Sequence, residues 1–179
     1  MVFEKKEDGV GGLVTRVFDG KVLEKLKMII VSTNKKRDCS ALVEKVRNLK
    51  NTSPDVFENT MGALRDCTES LIEELFPEEK ESTLDHFAIL DLISTNQQLL
   101  QEIGVSSPSI DQIVSTLMQH NIHGKLTGAG GEGGCVLGFY MPGSVGEEEL
   151  KTVEIDLNKQ GFSLIPLEKS TISPQGLIL

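Results

Sequence analysis

Three things that this sequence lacks limit what the protein can be. Its three cysteines stand too far apart for a disulfide framework or a zinc site, which predicts a reducing compartment. It lacks excess positive charge, and the net charge of −9 argues against nucleic acid or an acidic membrane as a partner. It also lacks any apolar run near the roughly 20 residues of a membrane span, and its first residues do not have the layout of a signal peptide. A soluble, intracellular protein is therefore expected.

The order of the apolar patterns predicts an α+β fold with one good-sized core, for which 39% hydrophobic residues suffice. After a buried strand over residues 28–31, four helices are predicted. The second carries Met61 on its apolar face, and the third begins at Ser82 with Phe87 on its apolar face. A strand over residues 135–140, a helix and a last strand then complete an antiparallel sheet with helices packed on it.

Ahead of these elements, the sequence predicts a tail and a hairpin. Residues 1–12 are charged and rich in glycine, which is typical of a poorly ordered tail. Leu13 to Leu26 is predicted to form a β-hairpin, because Asp19 and Gly20 supply the two positive-φ positions of a type I′ turn.

The stretch from Gly124 to Cys135 carries most of the functional signal. Five of the seven residues from Gly128 to Gly134 are glycine. Such a run is costly to order, so it indicates positive-φ positions, a close backbone approach or an anion held by backbone N–H groups. The run formally matches the G-x-G-x-x-G dinucleotide fingerprint, but a helical pattern precedes it and a strand follows it, which is the wrong order. The Gly-Lys-Ser/Thr of a Walker loop is also missing.

Lys125 to Cys135 resembles the C-terminal glycine motif of the GHMP kinase superfamily, and most closely that of its mevalonate kinase family, K-L-T-G-A-G-G-G-G-C. The likeness continues outwards in the same order, through Ala41-Leu42-Val43, Asn96-Gln97 and Ser109-Ile110-Asp111. It covers essentially the whole chain, but only the C-terminal half of such a kinase. Glu132 departs from the pattern, since it makes the glycine run one residue longer.

This resemblance implies a ferredoxin-like two-layer sandwich, the C-terminal domain of a GHMP kinase. It also implies a reaction: ATP-dependent phosphoryl transfer to the 5-hydroxyl of mevalonate with Mg²⁺, in isoprenoid and sterol precursor synthesis. Mevalonate and ATP would be the ligands, and neither nucleic acid nor a membrane would be a partner. The cytoplasm is the implied compartment, with the peroxisome as an alternative.

The resemblance further implies a backbone loop that helps to shape the mevalonate and ATP pocket. Arg37 is an additional candidate, because the family also carries a basic residue at that place. No catalytic residue and no metal ligand is expected in this chain, since the family has its phosphate loop, catalytic aspartate and reactive lysine in the N-terminal half. The implied loop residues are Lys125, Thr127, Gly128, Ala129, Gly130 and Gly131.

Two expectations concern the loop itself. In a complete enzyme containing this domain, replacing Gly130 or Gly131 by valine is expected to lower activity strongly with little loss of folding, because the side chain would block close backbone approach. Glu132 is expected to point away from the pocket, because like-charge repulsion of a phosphate would cost about 1 to 4 kcal/mol at contact.

The domain boundaries and the assembly follow from the same resemblance. Residues 1–27 are expected to be the tail and hairpin remnant of an N-terminal domain, and residues 28–179 the C-terminal kinase domain. The chain alone is expected to be inactive. Pairing with an N-terminal kinase half and a homodimer both stay open. So do two other functions: phosphomevalonate kinase or another GHMP small-molecule kinase, and a non-catalytic binding or regulatory module.

Other candidate chemistry is weaker. His120 and His123 are three residues apart at a predicted helix end, a spacing that can place two metal ligands on one face, but no third ligand is nearby. Asp91 and Asp111 are isolated carboxylates. Lys35, with its two basic neighbours, belongs either to a solvated loop or to a surface that faces phosphate or carboxylate.

Overall fold

A computed structural model describes eight parts of the chain: residues 2–5, 13–16, 26–36, 39–75, 85–128, 130–165, 172–173 and 176–177. The helices in these ranges are α1 Cys39–Thr52, α2 Pro54–Leu75, α3 His86–Glu102, α4 Pro108–Met118 and α5 Glu147–Lys159. The strands are β1 Val2–Lys5, β2 Leu13–Arg16, β3 Lys27–Ser32, β4 His123–Thr127, β5 Cys135–Tyr140, β6 Ser163–Ile165, β7 Ile172–Ser173 and β8 Gly176–Leu177. None of the helices within these ranges is long and apolar enough to cross a bilayer.

The main sheet has four antiparallel strands in the order β4-β5-β3-β6. Counted along the chain from β3, this is the order 2-3-1-4, with helices in the first and last connections, as in a ferredoxin-like fold. The predicted α+β sandwich is therefore confirmed. The pairs β1-β2 and β7-β8 are separate two-stranded sheets.

One face of the main sheet is covered by α4 and α5, and the larger core lies between them. It contains alternate residues of the strands, such as Val31, Leu126 and Val136, together with Ile113 of α4 and Leu157 of α5. Successive strand residues point to opposite faces, so the residues between these face the other side of the sheet. A second, smaller cluster on that other side joins α2 and α3 to the Phe139 end of β5.

The helix starts follow capping rules, with one correction to the sequence prediction. Ser107 caps α4, its Oγ accepts the Ile110 N–H, and Pro108 takes the first helical position. The third helix begins at His86 rather than at Ser82, because Asp85 is itself the cap and accepts the N–H groups of the second and third helical residues. Phe87, expected in the core, is 69% exposed, since it stands in the first turn on the outer face of α3.

Three further predictions need correction. Met61 on α2 is 42% exposed, while buried Cys67 is among the residues that α2 turns inward. Strand β4 was not expected; its short polar sequence HGKLT contains one large apolar residue, which hides the alternation. Val2–Lys5, within the predicted tail, is a strand that pairs with Leu13–Arg16. The predicted Asp19-Gly20 turn lies outside the described residues.

Candidate functional site

The glycine stretch is the loop that joins the antiparallel strands β4 and β5. Thr127 and Cys135 are paired at its base. Gly128, Gly130 and Gly131 have φ angles of 77°, 75° and 81°, in the left-handed region where a Cβ is costly. A strand does precede the loop, contrary to the prediction, but another strand follows it, so it is still not a dinucleotide fingerprint.

A backbone contact at Gly130, and the positive φ of 81° with a leucine methyl nearby at Gly131, explain why glycine stands at these two positions. A Cβ on Gly130 would lie 2.2 Å from the Val105 carbonyl oxygen, and one on Gly131 would lie 2.8 Å from Leu42 Cδ1. Both glycines are buried. The expectation that valine at these positions would spare the fold is therefore wrong, because the space is filled by this chain rather than left open for a ligand.

The end of the loop that enters β5 is fastened by Thr33, which follows β3 and is 2% exposed. The Thr33 Oγ1 accepts the Gly134 N–H at 2.9 Å and donates to the Gly134 carbonyl at 3.0 Å. The Thr33 N–H donates to the same carbonyl, also at 3.0 Å. One buried side chain thus satisfies both backbone groups of a loop residue.

The middle of the loop is fastened to the connection between α3 and α4. The Gly131 N–H donates to the Val105 carbonyl at 2.8 Å, and the Ser107 Oγ donates to the Gly131 carbonyl at 2.9 Å. Ser107 is therefore both the cap of α4 and an anchor of the loop. Because the anchors contact both sides of the loop, its shape is fixed without a ligand.

These anchors limit which backbone groups can meet a ligand. The N–H groups of Gly131 and Gly134 have internal acceptors, so neither is available to an anion. The N–H groups of Gly128, Gly130, Glu132 and Gly133 have no acceptor among the described residues. An anion held by the loop backbone would therefore have to use N–H groups among these four.

The Glu132 carboxylate is held outside the loop backbone. Its Oε2 accepts hydrogen bonds from Lys35 Nζ at 2.8 Å and from Ser109 Oγ at 3.3 Å. Lys35 Nζ also donates to Ser109 Oγ at 2.7 Å, so the three side chains form a closed cluster. The hydrogen bond from Lys35 is the main reason that the pKa of Glu132 lies below its usual range.

Lys125 lies on the sheet face that is turned away from α4 and α5. Its Nζ donates to the Leu126 carbonyl at 3.3 Å, and it interacts electrostatically with Cys67 of α2. Burial lowers the pKa of the Lys125 ammonium, and burial raises the pKa of the Cys67 thiol. Lys125 is thus packed beneath the loop rather than presented at its tip.

The same sheet face remains partly exposed near the loop. Across the strands, Ser32 pairs with Cys135 and Cys135 with Thr127, and each of the three is only partly buried among the described residues. The next row contains Ile30 and Leu137. A mixed apolar and polar surface therefore leads directly to the base of the glycine loop.

The remaining candidates do not join this site. Arg37 and Ala129 lie outside the described residues. His120 lies beside two carboxylates of α5, whereas His123 Nδ1 is 2.8 Å from Ser94 Oγ on α3, so the two histidines face different partners. Asp111 accepts hydrogen bonds from the side chains of Ser106 and Gln101, which is a local capping network.

Sequence reasoning missed the residues that hold the loop. Gln97 is 4% exposed, and its Oε1 accepts the Leu126 N–H at 2.8 Å, which ties α3 to the edge strand. Thr33 and Ser107 act in the same way on the loop. The sequence signals for Gln97 are its place in the Asn96-Gln97 pair of the family likeness and a polar side chain among the apolar residues of a helix, whereas Thr33 has no local signal.

The comparisons with known proteins identify the family. Residues 57–154, more than half of the chain, match the family described as GHMP kinases C terminal. The chain therefore belongs to the GHMP kinase family, of which it carries the C-terminal domain.

Within that family the chain is similar to mevalonate kinases. It is 34% identical to the Arabidopsis thaliana mevalonate kinase over 138 residues, which are 76% of this chain and 35% of that protein. It is 29% identical to the Homo sapiens mevalonate kinase over 140 residues, 77% of this chain and 33% of that protein. The chain thus spans about a third of the length of these relatives.

The fold is also found in a solved structure. The structure of L. major mevalonate kinase in complex with R-mevalonate matches with a TM-score of 0.65 at 18% identity. The match covers 88% of this chain and 44% of that one.

Proposed function

We propose that this chain forms the C-terminal wall of the active site of an ATP-dependent mevalonate kinase. In this role the glycine loop shapes the pocket in which the ATP γ-phosphoryl group meets the 5-hydroxyl of mevalonate. The observation that carries the proposal is a glycine loop that is fixed from both sides by Thr33 and Ser107. Phosphoryl transfer depends on positioning and charge stabilisation, so a rigid backbone wall contributes without any titratable group.

The chemistry that such a wall supplies is limited. The loop orients the phosphoryl group through those backbone N–H donors, from Gly128 to Gly133, that have no internal acceptor, and its packed glycines exclude water from that side. Among the described residues, no three of His, Cys, Asp and Glu lie close enough to hold a metal ion. In this proposal an N-terminal kinase half would hold the Mg²⁺ that accompanies ATP, as the family resemblance implies.

The half-exposed sheet face supports the presence of such a partner. Thr127, Cys135 and Leu137 lie on it, and Ile165, at its other edge, is 39% exposed. An N-terminal kinase half that covers this face would bring its own phosphate loop opposite the glycine loop. We propose residues 28–179 as the C-terminal domain and residues 1–27 as the part that belongs to the partner half. We expect the chain alone to be inactive. We propose the cytoplasm or the peroxisome as its compartment.

The test is a split-enzyme assay. The purified chain is mixed with ATP, Mg²⁺ and mevalonate, with and without a separately made N-terminal half of a mevalonate kinase, and ADP release is followed. We expect turnover only in the mixture, and only with mevalonate rather than phosphomevalonate, homoserine or galactose. Turnover by the chain alone would contradict the proposal. A mixture that forms a complex on a sizing column but releases no ADP would also contradict the proposal.

A matched pair of variants locates the activity at the loop. Thr127→Val removes a hydroxyl at the base of the loop on the open face, and we expect it to lower turnover of the mixture. Thr152→Val is the control, because the Thr152 hydroxyl only donates to the Glu148 carbonyl of its own helix, at 3.0 Å. Equal activity of both variants would show that the loop does not line the pocket.

A further inference from the structure

Strand β4 is an edge of the main sheet, and the hydrogen bonds of its neighbour show which of its residues point outwards. In an antiparallel sheet, successive residues of an inner strand bond alternately to the strands on its two sides. The Thr33 N–H donates to the Gly134 carbonyl, so the even-numbered residues of β5 bond towards β3. The odd-numbered ones bond to β4, where their partners are His123, Lys125 and Thr127. The N–H and carbonyl groups of Gly124 and Leu126 therefore point out of the sheet edge.

The chain itself closes this edge on both sides of Gly124. The Ile122 N–H, two residues earlier, donates to the Leu117 carbonyl at 3.1 Å. The Leu126 N–H, two residues later, donates to Gln97 Oε1 at 2.8 Å. An added β-strand would need these N–H groups in succession, so the edge is not open to another stretch of polypeptide.

Gly124 keeps its own outward groups without a partner. Its N–H has no acceptor and its carbonyl has no donor among the described residues, although the residue is buried. A Cβ on Gly124 would point into the core instead, 3.3 Å from atoms of Leu117, Val114 and Val136. Buried backbone groups are nearly always paired with protein, water or a ligand. The edge at Gly124 thus offers one donor and one acceptor that this chain does not use.

A cavity of about 480 Å³ opens at Gly124, between α3 and α4. This volume lies within the roughly 300–1,000 Å³ of small-molecule sites. Its lining side chains, at helical spacing, include Ser94, Gln98 and Gln101 of α3 and Val114, Ser115 and Met118 of α4. Asp111 is the acidic residue of the lining, and its carboxylate already accepts two hydrogen bonds. These walls favour a neutral ligand that combines hydrogen-bonding groups with an apolar part.

We propose that this cavity binds a small neutral molecule built like one extended amino-acid residue, with an N–H and a carbonyl on either side of a carbon that carries an apolar group. The ligand N–H donates to the Gly124 carbonyl, and the ligand carbonyl accepts the Gly124 N–H. Directly opposite residues of an antiparallel pair place their side chains on the same sheet face. The ligand's apolar group therefore lies on the α4 side, where Val114 and Met118 line the cavity. This inference does not rest on the proposed kinase function.

The experiment is an NMR titration of the whole ¹⁵N-labelled chain with N-acetyl-leucinamide. A ligand of this size should bind in about the millimolar range. We expect a saturable shift of the Gly124 amide, because its N–H gains an acceptor. The matched probe has an ester oxygen in place of the leucine N–H and cannot donate to the Gly124 carbonyl. It should bind several-fold more weakly.

A pair of variants locates the binding in the cavity. Ser115→Phe places a ring between the two helices from an exposed position of α4, and it should abolish the shift of the Gly124 amide. Gln112→Phe is the control, because Gln112 is exposed on the same helix but does not line the cavity. It should leave the affinity unchanged. If Ser115→Phe lowers the melting temperature more than Gln112→Phe does, Gln98→Phe blocks the cavity from the opposite wall and repeats the test.

Four results would overturn the proposal. Without a saturable shift of the Gly124 amide well above millimolar concentration, the cavity holds water only. Equal affinity for the amide and the ester would exclude the bond to the Gly124 carbonyl. Binding that survives both Ser115→Phe and Gln98→Phe would place the ligand elsewhere. Much tighter binding of a longer capped peptide would show that the edge beside Gly124 accepts a strand.

Discussion

Gly130 offers the sharpest test of how the loop is held. In Gly130→Ala, the new Cβ would lie 2.2 Å from the Val105 carbonyl oxygen, a backbone atom that cannot rotate away. The carbonyl must therefore move, although it accepts the Gly131 N–H at 2.8 Å. The perturbation thus combines a steric clash, a weakened hydrogen bond and a φ of 75° for a residue with a side chain.

These contributions can be estimated separately. The positive φ costs about 1 kcal/mol or slightly more for alanine. The weakened hydrogen bond costs about 0.5 to 1.5 kcal/mol. Relieving an overlap in packed surroundings adds about 1 to 3 kcal/mol. A total of about 3 to 5 kcal/mol is a large share of a domain's stability and would lower the melting temperature by roughly 10 °C.

Gly143→Ala is the matched control for this prediction. Gly143 has a φ of 86°, and a Cβ there would meet nothing within 4 Å. Gly143→Ala should therefore lose only the stability that a positive φ costs an alanine, about 1 kcal/mol. Urea unfolding followed by circular dichroism measures both variants. If Gly130→Ala and Gly143→Ala lose the same stability, the packing of the loop against Val105 is not what requires glycine.

Three further predictions concern the loop and its neighbours. Thr33→Val should cost about 1 to 3 kcal/mol in urea unfolding, because a buried loop N–H loses its acceptor, and Thr33→Ser should cost clearly less. Gln97→Leu should cost a similar 1 to 3 kcal/mol or so, whereas the exposed control Gln98→Leu should stay within about 0.5 kcal/mol; equal losses would contradict the role of Gln97. By NMR, the Glu132 carboxyl should titrate below the usual range, and Lys35→Gln should move its pKa back up. Because the folded-state pKa is the lower one, the stabilisation is complete at neutral pH and is lost as the pH falls through it. An unchanged titration in Lys35→Gln would refute this assignment.

Local signals in the sequence were enough for much of the fold. Ser107 and Pro108 mark the start of α4, because a cap and a first-turn proline act within a few residues. The apolar run of β3 and the alternation of β5 likewise indicated strands. Strand β4 was not predicted because it is short and polar, and because Gly124 and the glycine run next to it favoured a loop. Its pairing with β5 is a tertiary effect that outweighs the low strand propensity of glycine.

The candidate site also has a part that the sequence predicted and a part that it did not. The glycine loop was predicted from its composition and resemblance, but the residues that hold it were not. Thr33 and Gly134 are 101 residues apart in the chain, and Lys35 and Glu132 are 97 apart. A threonine or a lysine in a polar loop gives no local sign of such a partner. The close approach of Gly130 to Val105 was invisible for the same reason, so the effect of valine on folding was wrongly expected to be small.

Two anchors hold the loop on either side of Glu132, the residue that departs from the glycine motif that the sequence resembles. Gly131 is fixed by the connection between α3 and α4, and Gly134 is fixed by Thr33. Only Glu132 and Gly133 lie between these points. One extra residue in a span between fixed ends changes the loop-closure entropy little, so the anchors can stay in place. What the extra residue does change is charge, because its carboxylate now neutralises Lys35 beside the start of α4. If this loop forms a wall of a phosphoryl-transfer pocket, Glu132 adds to that wall a carboxylate whose charge is balanced by Lys35.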